Sequence, residues 1–270
     1  MAKHRRTWNN STFDKYLREG RGQGVGVEYM PWICIQDFPS LGMVSRVSGA
    51  TTGRIHHLMS NLELSLFYLL DWSDDVKDIR EQYPLLDLAN AITIAENAKI
   101  RYPYDTKSGF PYVLTSDFCI ETAQGTMILS VKPSSELKKS RVREKLEIER
   151  RYWIERGVEW SIMTENEINS VKARNIEWLS QAKDLSVFGL CTATQDACCK
   201  FFLDAYEFAG HSLDKLFAAV EKAFGLVTGM GLNIYKHLAY RKQIYFNADE
   251  RVDLAKLHLY TNPRYVGGVA

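Results

Sequence analysis

The chain has 270 residues, 46% of them hydrophobic and 25% charged, and a formal net charge of +1. That length allows one or two domains and a sizeable core, and the near-neutral charge excludes a wholly basic nucleic-acid coat, so any DNA surface is a local patch. The five cysteines (Cys34, Cys119, Cys191, Cys198, Cys199) lack zinc-type spacing and read as reduced thiols of a cytoplasmic protein, and no apolar run of about 18 residues exists to span a membrane.

The N-terminus is basic without an apolar segment behind it, so no signal peptide is expected. Lys3, Arg5, Arg6, Arg18 and Arg21 face few acids and are the best candidates for phosphate contacts. Glycines 20, 22, 24 and 26 follow at alternate positions. Their spacing does not match a phosphate-binding fingerprint, and a flexible loop is expected.

Residues 29–38 read as a strand and 51–57, with His56 and His57, as a loop. Adjacent histidines seldom face one metal, so ligation is not expected of them. Residues 60–72 form a helix on Leu62, Leu66, Leu69 and Leu70. Residues 75–82 continue into Tyr83-Pro-Leu-Leu86, where Pro84 ends regular structure, and 89–99 is a short helix. Two strand-like runs, 112–120 and 127–133, flank a turn at Ala123-Gln124-Gly125. Residues 137–155 make a long charged helix ended by Gly157, with Glu147 and Arg151 as an i, i+4 pair; Glu149 is a candidate to reach the sheet end from this helix, but Glu147 and Glu149 read first as solvated charges. Residues 158–163 are another strand. The order β-α-β-β-α-β gives a mixed sheet flanked by helices over residues 1–167. Helices at 175–183, 194–209 and 212–224, then short strands at 232–237 and 243–247, suggest a small winged-helix-like domain over 168–270.

With Gln124-Gly125 as the two-residue loop, Asp117 lies across from Lys132, about 5 Å apart at Cβ, and Ser130 shares their face. A carboxylate beside a lysine at a sheet end suits metal-dependent phosphodiester hydrolysis, because a hard cation takes carboxylate oxygen and neutralises charge at phosphorus. The same pair also reads as a plain cross-strand ion pair. Glu63 is a third candidate, yet Ser60-x-x-Glu63 is also a capping box, with Glu63 returning to the Ser60 backbone.

Several stretches together resemble the TnsA family, endonuclease subunits of heteromeric transposases of the Tn-seven type. They are Gly20-Arg-Gly-Gln-Gly24, Tyr29-Met-Pro-Trp32, Gly53-Arg-Ile-His-His57, Ser60-Asn-Leu-Glu63, Asp78-Ile-Arg-Glu-Gln82, Pro84-Leu-Leu86, Thr115-Ser-Asp-Phe118, Val131-Lys-Pro133 and 145–153. The C-terminal ninety residues or so resemble the family only loosely. The resemblance implies a restriction-endonuclease-like fold and a catalytic set of Glu63, Asp117 and Lys132. Glu63, Asp117 and the Val131 carbonyl would hold Mg²⁺, with Mn²⁺ as a substitute. The implied partners are transposon-end DNA, an integrase-fold transposase subunit, and an ATPase regulator that meets the C-terminal region. The implied location is the bacterial cytoplasm, at the nucleoid during activity. One departure stands out: Ser130-Val-Lys132 occupies the place of the family's Gln-Val-Lys. Two rivals stay open, a stand-alone restriction or repair nuclease and a DNA-binding adaptor that assembles a transposase without cutting.

Overall fold

The continuous apolar runs become the strands of a mixed sheet in a computed structural model that describes residues 7–37, 43–207 and 213–253. The chain divides into two compact units, Met1–Ile168 and Asn169–Ala270.

The first unit opens with α1 (Asn10–Arg18), capped by the Asn9 side chain. A two-stranded hairpin follows, β1 (Ser45–Ser48) and β2 (Ile55–Leu58). Then come α2 (Asn61–Asp71), β3 (Val76–Pro84), α3 (Leu88–Asn97), β4 (Thr115–Thr122), β5 (Gly125–Val131), α4 (Ser140–Ile154) and β6 (Glu159–Met163). Four strands form one sheet in the order β3-β4-β5-β6, with β5 and β6 parallel and the other pairs antiparallel. Only the parallel pair needs a crossover, and α4 supplies it.

Ala91, Ile94 and Ala95 of α3 pack with Ile148, Tyr152 and Trp153 of α4 against Cys119 and Ile128. Strand alternation sends Phe118 and Ile120 to the other face, and they are buried too. A sheet covered on both faces reads as a continuous apolar run, as β4 does. Gly157, at φ 69°, ends α4: Val158 N donates to Trp153 O at 3.0 Å, the long return bond of a Schellman cap.

Three local expectations are corrected. Residues 29–37 are not a strand: Met30 makes isolated bridges, and short 3-10 turns lie at Gly26–Glu28 and Ile35–Asp37. Pro31 lacks the donor a ladder needs. Phe38 lies outside the described residues. The expected loop at 51–57 instead ends in β2, because His56 and His57 have partners that replace water. The glycine comb is pinned, not flexible: Gly22 N donates to Met30 O at 2.6 Å. Gly22 sits at φ 71°, where an added Cβ would collide with Pro84 Cγ.

The β4–β5 register also differs from the sequence expectation. Thr122 pairs with Gly125, so Ala123-Gln124 is the loop, and the last ladder pair is Phe118–Leu129. The Thr122 hydroxyl decides this: Oγ1 accepts from Gln124 N and donates to Gly125 O, each at 3.1 Å. Every pair moves by two residues, so continuing the register puts Ser130, not Lys132, across from Asp117.

The second unit contains α5 (Ser170–Ser180), α6 (Thr192–Glu207), α7 (Leu213–Phe224) and α8 (Met230–Tyr240). Ile176, Leu179, Phe202, Val220, Ile234 and Leu238 fill its core. The strand expected at 232–237 is the middle of α8, where Ile234, Tyr235, Leu238 and Ala239 recur at helical spacing and are buried. Residues 243–247 form no strand, so no wing exists among the described residues of this unit. No described helix is long and apolar enough to cross a membrane.

Candidate active site

Asp117, at the end of the β4–β5 ladder, turns its carboxylate onto the neighbouring strand. Oδ2 accepts from Val131 N at 2.6 Å and from Lys132 Nζ at 2.7 Å. The same ammonium donates to Val131 O at 2.8 Å. Lys132 thus reaches Asp117 by its length, from one residue beyond the strand, and not as a directly opposed partner. Burial opposes its charge, but Asp117, with Glu149 and Glu63 behind it, raises the lysine pKa on balance.

Glu63 enters from the first turn of α2. Ser60 Oγ accepts from Glu63 N at 3.1 Å, so Ser60 caps the helix. The return contact differs from the expected box: Glu63 Oε2 accepts from Met59 N, and Oε1 from Ser60 Oγ, both at 2.9 Å. Gln82 Nε2 adds a 3.4 Å bond to Oε2. Burial and the nearby Asp117 charge raise the Glu63 pKa to about 7.

Glu149 was expected in solvent and is 6% exposed. Ser130 Oγ donates to Glu149 Oε1, and Trp160 Nε1 donates to it at 3.1 Å. Burial raises this carboxyl to about 7 despite the Ser130 bond, and Asp117 adds to the rise. A signal did exist: 146, 149 and 153 form one helical stripe with Leu146 and Trp153, so Glu149 lies on the buried side. Glu147 stays near the surface with Arg150 and Arg151, the second being the expected i, i+4 pair at 2.6 Å.

Among the described residues no three His, Cys, Asp or Glu side chains form a metal cage. The oxygen set is two carboxylates and the Val131 carbonyl, which suits a hard cation that keeps several waters. The residues fit such an ion on one further observation: the Lys132 ammonium, itself a cation, already bridges Asp117 and Val131 O.

Two buried carboxyls held near pH 7 make the metal-free protein pH-sensitive. Their folded pKa values lie above the ordinary glutamate value of 4.5. The protonated forms therefore favour folding below about pH 4.5, and that stability is lost as pH rises through about 7, on the order of 3 kcal/mol per group at most. Thermal melts in chelator should show Tm falling from about pH 5 to 8. Added Mg²⁺ should raise Tm more at about pH 8 than at 6, because ionised carboxylates bind it. Equal Mg²⁺ shifts at both would contradict this account.

Around the site, two stretches that carry the resemblance meet each other. Glu81 accepts from Arg54 Nη1 at 2.8 Å and Nη2 at 2.5 Å, from His56 Nδ1 at 2.8 Å and from His57 N at 3.0 Å. His56 Nε2 also meets Thr52 Oγ1 at 2.7 Å, and His57 Nδ1 accepts from Ile35 N at 3.1 Å. Both histidines are thus occupied structurally.

The phosphate candidates divide. Arg18 is exposed on α1. Arg21 is buried and corrects the expectation: its guanidinium reaches Asp37 at 2.5 Å, Glu19 at 2.8 Å and Trp32 O at 3.2 Å, over the Tyr16 ring. A cation so enclosed has no face left for a phosphate. Lys3, Arg5 and Arg6 lie outside the described residues.

Comparison with known proteins gives two family matches. Residues 73–165 match the TnsA-like endonuclease N-terminal family, and 167–247 match the TnsA endonuclease C-terminal family. Asp117, Val131, Lys132 and Glu149 fall inside the first match, and Glu63 precedes it. The chain is also 41% identical over 186 residues to Transposon Tn7 transposition protein TnsA of Escherichia coli, covering 68% of this chain and 67% of that protein. With both family models matched in order along the chain, it belongs to the TnsA endonuclease family.

Proposed function

We propose that this chain is the Mg²⁺-dependent endonuclease subunit of a transposase, hydrolysing phosphodiester bonds at the 5′ ends of a transposon during cut-and-paste transposition. A nuclease of this family requires a divalent metal as a class, and Mg²⁺, with Mn²⁺ as substitute, suits the oxygen donors here. The observation that carries the reading is the Lys132 ammonium bound between Asp117 and the Val131 carbonyl, beside buried Glu63.

Glu63, Asp117 and the Val131 carbonyl would hold the ion, whose chemistry is to neutralise charge at phosphorus and to acidify the attacking water. Lys132, kept protonated by Asp117, stabilises charge developing on the phosphoryl oxygens and orients the nucleophile. Glu149 stands behind Ser130 and adds negative potential without a direct bond to Asp117. In-line attack by water breaks the bond to O3′, leaving a 3′-hydroxyl and a 5′-phosphate.

The proposed partners are double-stranded transposon-end DNA, an integrase-fold subunit that cuts and joins the 3′ ends, and an ATPase regulator that meets the C-terminal region. The site of action is the bacterial nucleoid. Labelled transposon-end DNA with Mg²⁺, with and without these partners, tests the whole. Cleavage of the 5′ strand should need the partners and fall by about 10²-fold or more in Lys132→Ala. Cutting of naked DNA without partners would favour a stand-alone nuclease. Assembly without cutting in the wild type would favour the adaptor, with Ser130 as the suspect residue.

A further inference from the structure

Strand β3 breaks its own alternation at Gln82. Successive side chains on a strand point to opposite faces, yet Glu81 and Gln82 both reach the segment 54–63. Glu81 holds Arg54 and His56, and Gln82 Nε2 donates to Glu63 Oε2 at 3.4 Å. The backbone permits this because Gln82 sits at φ 50°, in the left-handed region. A glutamine there is uncommon, and glycine would adopt the conformation at less cost.

The carboxamide is engaged at both ends. Thr115 Oγ1 donates to Gln82 Oε1 at 3.2 Å, which ties it to β4. The ladder pairs Glu81–Phe118 and Tyr83–Ser116 bracket Gln82 opposite Asp117. The residue is 4% exposed. Filling space here would call for an apolar side chain, and the turn alone would call for glycine. A buried amide held in a strained backbone between a helix carboxylate and the strand of Asp117 satisfies neither demand. Strain of this kind persists where the surroundings over-determine it, most often at functional sites.

Glu63 already has two donors from its own helix start, Met59 N and Ser60 Oγ. Those bonds fix it as a cap but do not tie it to the sheet. Gln82 is the donor that does.

We infer that Gln82 is a positioning residue for strand cleavage: its amide N–H orients Glu63 toward the strand of Asp117, so that both carboxylates face one divalent cation. The inference rests on the active-site reading proposed above. It reconciles the capping and catalytic roles of Glu63, since one carboxylate serves both when a third donor fixes its direction.

The decisive variant is Gln82→Gly, which removes the carboxamide and suits the left-handed backbone. It should still fold, because relief of the left-handed backbone offsets part of the loss of the buried amide bonds. Cleavage of transposon-end DNA in the full complex should fall about 10- to 100-fold, the usual effect of losing an outer partner of a ligand. Calorimetric Ca²⁺ binding to the protein alone should weaken by about 10-fold. Gln82→Met, which keeps the volume without the donor, should show the same losses and decides the matter if the glycine variant does not fold. Unchanged cleavage and Ca²⁺ affinity in a folded variant would overturn the role of Gln82, as would a fall in Tm alone with Ca²⁺ affinity intact. Asp117→Asn is measured alongside: if it still cuts, the active-site reading itself fails, independently of Gln82.

Discussion

Asp117→Asn should lower 5′-strand cleavage by about 10³-fold or more while the protein still folds. The asparagine keeps the shape of the side chain, and its carbonyl oxygen can still accept from Val131 N and Lys132 Nζ, the two donors now at 2.6 and 2.7 Å. Only the charge is lost. That charge favours the protonated Lys132 and adds to the burial that raises the Glu63 carboxyl, and in the proposed site it would hold the cation. Stability should stay within about 1 kcal/mol of wild type, because no buried donor is orphaned. The metal-free dependence of Tm on pH should also shrink in part, since Glu63 loses the contribution of the Asp117 charge while burial still raises it. Single-turnover cleavage in the assembled complex, with melts at several pH values, checks both halves. Near-normal cutting would remove Asp117 from the chemistry.

The second large effect is on stability. Glu81→Ala should cost about 3 to 5 kcal/mol in urea unfolding, because it leaves the Arg54 guanidinium buried without its counter-charge. Glu81 has no exposed surface, and one carboxylate takes bonds from Arg54, His56 and the His57 backbone. Burial opposes its ionisation, yet Arg54 and His56 hold its carboxyl down to about 2. The stabilisation is therefore present above about pH 4.5 and is lost as pH falls toward 2. Arg54→Ala should cost a similar amount, and the double variant should cost much less than the sum, since the pair acts as one unit. A loss under about 1 kcal/mol for Glu81→Ala would mean that the β1–β2 hairpin docks without this ion pair.

These two residues show how differently a site and its support are written into a chain. Asp117 stood out because an acid inside an apolar run is conspicuous, and Lys132 because it follows one. Glu81 lay in a charged stretch, Asp78-Ile-Arg-Glu-Gln82, where nothing local marked it as the buried member. The resemblance pointed to that stretch and to Gly53-Arg-Ile-His-His57 without a role for either. Their roles emerged when the fold brought Arg54 to Glu81 across 27 positions of sequence. Arg21 erred the other way: its excess of basic neighbours suggested a surface, and Asp37 and Glu19 took it inside.

By itself the sequence determined what depends on near neighbours. Ser60 as a cap, Gly157 as a stop, the helical spans of α2 and α4, and the hairpin that carries Asp117 all follow from periodicity and from bonds a few residues long, although Leu66 alone of the expected α2 stripe is fully buried. The motifs determined the family and, with it, the class of chemistry. Tertiary structure decided the rest: the burial of Glu149 behind Ser130, the enclosure of Arg21, the helical α8 where a strand was expected, and the left-handed Gln82 between Glu63 and Asp117. Desolvation explains the division for the charged groups. The charge state of a buried carboxyl is a sum over every group packed around it, and for Glu63 and Glu149 many of those groups are far away in sequence.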